Sequence, residues 1–152
     1  SVQTMHRIVN LTEKQIKSAN WQIRRRDVDQ KYSISSAIGQ SACQAADLVD
    51  ASMIVCLTQT GTTARMISRY RPSQPLIAVT HSEQSLRRLN LVWGVIPYSL
   101  HEFGNNMDEA ISDILNIIKR KTPVKKGDKI VITAGLPFHF RRGTNMLRIE
   151  EI

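Results

Sequence analysis

Four threonines and a glycine stand within six residues, Thr58-Gln59-Thr60-Gly61-Thr62-Thr63, between an apolar run and a helical pattern. Hydroxyls at the start of a helix lie beside unpaired backbone N–H groups and the positive end of the helix dipole, a combination that favours an anion. Gly61 lets the backbone come close to such a ligand. A phosphate group is the expected ligand of Thr58, Thr60, Gly61, Thr62 and Thr63, although simple capping of the helix fits the same residues. A second segment, Gly135 to Asn145, contributes Arg141, Arg142 and Gly143. Its arginines suit charge-assisted bonds to the same phosphate, and equally suit an exposed hairpin tip that tolerates any charge.

Residues for chemistry beyond binding are missing. His6, His81, His101 and His139 show no metal-ligand spacing, and Cys43 and Cys56 are not at zinc spacing, so no metal site is expected. Neither a Gly-x-Ser-x-Gly elbow nor a P-loop pattern occurs. A phosphate-binding cysteine nucleophile at position 56 would want an arginine where Thr62 stands; Cys56 reads instead as a buried strand residue. No residue is assigned a catalytic role.

The elements that must carry these loops follow from periodicity. Val2, Met5, Val9, Ile16 and Ala19 recur at helical spacing, and the polar stretch Trp21 to Lys31, with Arg24-Arg25-Arg26, reads as a linker. Ile34, Ile38, Ala42, Ala45 and Val49 form the stripe of a second helix, with Ser33 and Ser35 as candidate N-caps. Ser52 to Leu57 is a continuous apolar run, as expected of a strand buried on both faces. Thr63 to Arg71 then predicts a helix, Pro75 to Thr80 a strand, Glu83 to Asn90 a helix and Gly94 to Tyr98 a short strand. Met107, Ala110, Ile111, Ile114, Ile117 and Ile118 mark the strongest helix, with acids in its first turn and Lys119, Arg120 and Lys121 at its end. Lys129 to Ala134 is a further strand, and the alternation in Asn145 to Ile152 predicts an antiparallel edge strand.

Strands separated by helices of this length pair in parallel through right-handed crossovers. The expected fold is therefore α/β, a three-layer sandwich with a mostly parallel five-stranded sheet, one antiparallel edge strand and a long N-terminal helix. Residues 1–32 would hold that helix and the linker, and 33–152 the α/β domain. In such sheets ligands bind beyond the carboxyl ends of the strands, which is where both loops fall.

Composition sets the outer bounds. The 152 residues are 41% hydrophobic and 22% charged, ordinary for a globular chain that can bury a core without staples. No apolar run reaches the ~20 residues of a membrane helix, no secretory leader is visible, and two cysteines make no disulfide framework. A cytoplasmic protein without membrane contact is expected. The net charge of +8 fits a phosphorylated metabolite, an acidic neighbouring domain or nucleic acid. Nucleic acid is the weakest of these, because 5% aromatic residues offer no stacking platform. A chain that begins at Ser1 inside a helical pattern is expected to be a processed or excised piece.

Thr58-Gln59-Thr60-Gly61-Thr62-Thr63-Ala64, Ile67-Ser68-Arg69-Tyr70-Arg71-Pro72 and Pro75-Leu76-Ile77-Ala78-Val79-Thr80 together resemble the C-terminal domain of pyruvate kinase. Arg88, Leu91, Gly94-Val95 and Pro97, then Lys126-Gly127-Asp128, Thr133-Ala134-Gly135, Pro137 and Gly143-Thr144-Asn145 extend the resemblance in order over about residues 34 to 152. Val2 to Ala19 looks like the last helix of that family's catalytic barrel. The resemblance implies an enzyme passing phosphate from phosphoenolpyruvate to ADP with magnesium and potassium, all bound by a barrel and cap that have no counterparts in this chain. It implies for this domain a regulatory role: contacts between subunits of a homo-tetramer, and a phosphorylated sugar or nucleotide effector held by Thr58 to Thr63 under the Gly135 to Thr144 loop. The chain alone would then lack kinase activity, and its first helix, lacking the barrel, would self-associate. The family's fructose 1,6-bisphosphate responders supply a tryptophan and an arginine near the start of the long helix, where this sequence reads Phe103 to Ala110 with neither. A monophosphate effector, or recruitment of Arg141 or Arg142 in place of those residues, is expected in consequence. A free-standing phosphometabolite-binding module is the alternative reading.

Overall fold

The computed structural model describes residues 1–18, 33–101, 106–136 and 143–152. The chain forms two compact units, Ser1–Lys31 and Tyr32–Ile152. In the first, α1 (Val2–Ser18) realises the expected helical spacing, with Val2, Met5, Ile8, Val9 and Leu11 exposed. The Trp21 to Lys31 linker lies outside the described residues.

The second unit starts with α2 (Ile34–Leu48), whose first turn is closed by Ser33: its hydroxyl accepts from the Ser36 N–H. Ser33, not Ser35, is the cap. The buried side of α2 is small, Gly39, Ala42, Cys43 and Ala46, which lets the helix lie close to its neighbours. A Cβ on Gly39 would come within 3.0 Å of the Met66 side chain. Five strands follow: β1 (Met53–Leu57), β2 (Leu76–Thr80), β3 (Val95–Ser99), β4 (Lys129–Ala134) and β5 (Met146–Glu151). Between them run α3 (Thr62–Arg69), α4 (Glu83–Leu89) and α5 (Met107–Lys121). Arg71, in the left-handed region at φ 51°, ends the α3 segment just before Pro72.

The sheet order is β3-β2-β1-β4-β5. β1 pairs in parallel with β2 and β4, β2 in parallel with β3, and β5 closes the edge antiparallel to β4. Val55 faces Ile77 on one side and Ile132 on the other, so one register aligns three apolar side chains across the central strands. Alternation sends these, with Leu57 and Val79, to one face, where they form one core cluster with Ile111, Ile114 and Ile118 of α5. Ile54, Cys56, Ala78 and Val131 point to the other face, against which α2, α3 and α4 are packed. The three-layer α/β architecture with an antiparallel edge is the one the periodicity predicts, and every strand lies within about a residue of its expected place.

α5 shows how local sequence sets the ends. Asn106 accepts from the Glu109 N–H at 2.9 Å while its amide donates to the Glu109 carboxylate, a reciprocal cap. Asp108 and Glu109 sit at the positive end and Lys119, Arg120 and Lys121 at the negative end. Among the described residues no helix is long and apolar enough to cross a membrane.

Cys43 and Cys56 are both free and buried on the α2 side of the sheet. Burial pushes both thiols up from 9.0 to about 12, and the Asp47 carboxylate adds to the effect at Cys43. Neither should react with an alkylating reagent at pH 8 until the chain unfolds. Between pH 9 and 12 the unfolded thiols lose protons that the native ones keep, so unfolding free energy falls as pH rises through that window. Denaturant melts at pH 8 and pH 10 are expected to show a steeper loss for the wild type than for a Cys43→Ala, Cys56→Ala double variant.

Candidate anion site at the strand ends

After β1 the chain winds outward through β2 and β3, then returns to the opposite side of β1 for β4. β1 and β4 are adjacent and parallel, so the chain leaves the sheet at neighbouring points, Thr58 and Gly135. This reversal of winding is where open α/β sheets leave a crevice. Both segments singled out from the sequence therefore start on one rim, a placement that their positions along the chain do not require.

The loop after β1 is built by its own threonines. The Gly61 N–H donates to Thr58 Oγ1 at 2.9 Å, and the Thr58 side chain is buried beneath the turn. Gly61 takes the N-cap position of α3 at φ 77°. An added Cβ would meet Leu89 Cδ2 at 3.1 Å and Arg65 Nη1 at 3.2 Å. Glycine is thus demanded by a left-handed backbone and by Leu89 packed against it, in addition to any closeness to a ligand. Leu89 belongs to α4, which also braces the loop through the Ser85 hydroxyl, a donor to the Gln59 carbonyl at 2.7 Å.

Among the described residues no side chain caps α3. Its first-turn amides, Thr62, Thr63 and Ala64, have no partner within the helix and none among the described side chains. Thr60 and Thr62 are exposed on the rim with their hydroxyls 2.9 Å apart. Thr63 points inward, where its hydroxyl lies 2.6 Å from that of Thr144, and both side chains are buried. The sequence reading groups the four threonines as equals; the structure separates two that face the rim from two that hold it together.

The second segment is anchored at its base. Asn145 grips Leu136 twice, its Oδ1 accepting from the Leu136 N–H and its Nδ2 donating to the Leu136 carbonyl, both at 2.8 Å. Gly143 is exposed and lies against Ser35 of α2, whose hydroxyl a Cβ at 143 would strike. Arg141 and Arg142 lie outside the described residues, as does Phe103. Thr144, Asn145, Ser85 and Ser35 carry no local signal that could have marked them, because each acts on a residue distant in the chain. Arg65 was within reach: four residues after Gly61, it projects back over the loop and donates to Thr62 Oγ1 at 3.3 Å.

Open amides, rim hydroxyls and a guanidinium suit one task, holding an anion rich in acceptors. Threonine hydroxyls supply no acid or base near neutral pH, and among the described residues no group of three or more His, Cys, Asp or Glu is placed to hold a metal.

The sequence model of the pyruvate kinase alpha/beta domain matches residues 36–150. Pyruvate kinase of Clostridium acetobutylicum is 38% identical over the whole chain, which spans 32% of that protein's length. Pyruvate kinase of Geobacillus stearothermophilus is 37% identical, again over the whole chain, which spans 26% of its length. Among solved structures, a pyruvate kinase from Cryptosporidium parvum superposes with a TM-score of 0.71 at 32% identity, covering 82% of this chain and 24% of that one.

The Thr63–Thr144 contact can be tested without a ligand. Thr63→Val or Thr144→Val leaves one buried hydroxyl unpaired and is expected to cost about 1–3 kcal/mol of stability in urea melts. The double variant removes both polar groups and should cost clearly less than the sum.

Proposed function

The chain belongs to the pyruvate kinase family, as its C-terminal α/β domain, and on that premise we propose that it is the regulatory domain of a full-length pyruvate kinase. In this reading it holds a phosphorylated sugar or nucleotide on the β1–α3 loop and makes contacts between subunits of a homo-oligomer. The observation that carries the reading is the first turn of α3: among the described residues its amides have no side-chain partner, its capping position is a left-handed glycine, and rim hydroxyls stand beside it. Beside it the described end of the β4–β5 segment is tied in by Thr144, bonded to Thr63, and by Asn145, bonded to Leu136. Among the described residues β3 and β5 are the edge strands of the sheet, each with one side not paired to another strand, surfaces suited to a neighbouring subunit.

Phosphoryl transfer between phosphoenolpyruvate and ADP belongs in this reading to the rest of the enzyme, since the chain spans only about a quarter to a third of its relatives. The magnesium and potassium of the full enzyme find no fitting donor cluster among the described residues. The catalytic barrel is the expected partner of α1. That the relatives are whole pyruvate kinases favours this assignment over a free-standing metabolite-binding module.

Phosphoryl transfer needs metal ions and positioned cations to spread the charge of its transition state. A coupled assay of the 152-residue chain with phosphoenolpyruvate, ADP, magnesium and potassium is expected to stay at background. Binding should be present all the same. Thr60 and Thr62 are exposed, so Thr60→Ala with Thr62→Ala should leave the fold intact and weaken glucose 6-phosphate or ribose 5-phosphate about tenfold by calorimetry. Equal affinity in the two proteins would remove the loop from the site.

A further inference from the structure

We draw no further inference here: the strongest candidate, the surface patch where α4 leads into β3, with Leu91, Trp93 and Ile96 exposed and Arg71 stacked on the Trp93 ring, carries nothing because nothing in the structure shows what covers it.

Discussion

Parallel pairing of β1 with both of its neighbours is the constraint on which the rest of the structure depends. A strand buried along its whole length, as Met53 to Leu57 is, has to hydrogen-bond on both sides and pack on both faces. The neighbours are β2, the next strand in sequence, and β4, which follows two further crossovers. With α3 and α4 on one face and α5 on the other, the crossovers diverge at β1. The carboxyl ends of β1 and β4 are thereby left side by side, and the two loops that leave the sheet there start from one rim.

The helix starts show how the chain treats backbone donors elsewhere. Ser33, Ser82 and Asn106 each accept an amide in the first turn of α2, α4 and α5. At α3 the threonine that could do so, Thr58, instead accepts from Gly61 itself and holds the turn in its left-handed form. Leu89 fills the space where a Cβ would go, so the glycine is fixed from behind by the core. The result is a turn held by a hydrogen bond and by packing, with first-turn amides that no described side chain accepts from. A pre-formed donor set saves the ordering entropy that binding otherwise costs.

Much of this was legible in the sequence, and the pattern of what was not is instructive. β1, β2 and β4 announce themselves as continuous apolar runs because they are buried on both faces, and β5 alternates because it is an edge. Periodicity and capping are local, so they survive in one dimension. The threonine loop was visible for the same reason. The division of labour within it was not: Thr63 and Thr144 are 81 residues apart, and no spacing rule links them. Asn145 gives no hint that its amide will span Leu136, because that bond exists only once β4 and β5 have paired. Arg65 was the legible residue that went unread. Its four-residue offset from Gly61 places it over the turn by helix geometry alone, whereas Arg141 and Arg142 fall outside the described residues.

The kind of donor at this rim also bears on what the site can be for. Threonine hydroxyls and backbone amides do not change protonation near neutral pH, and a guanidinium stays charged throughout it. A phosphate monoester changes its own charge at about pH 6. Hydroxyls and amides of this kind can recognise a charge and a shape but neither accept nor deliver a proton near neutral pH. Under the proposed reading, any influence of a bound ligand on a distant part of an enzyme comes through unequal affinity for two arrangements of the protein. Among the described residues the start of α3 is joined to the lead into β5 at Thr63 and Thr144. That one short bond, between a helix start and the lead into an edge strand, ties the β1–α3 loop to the edge of the sheet.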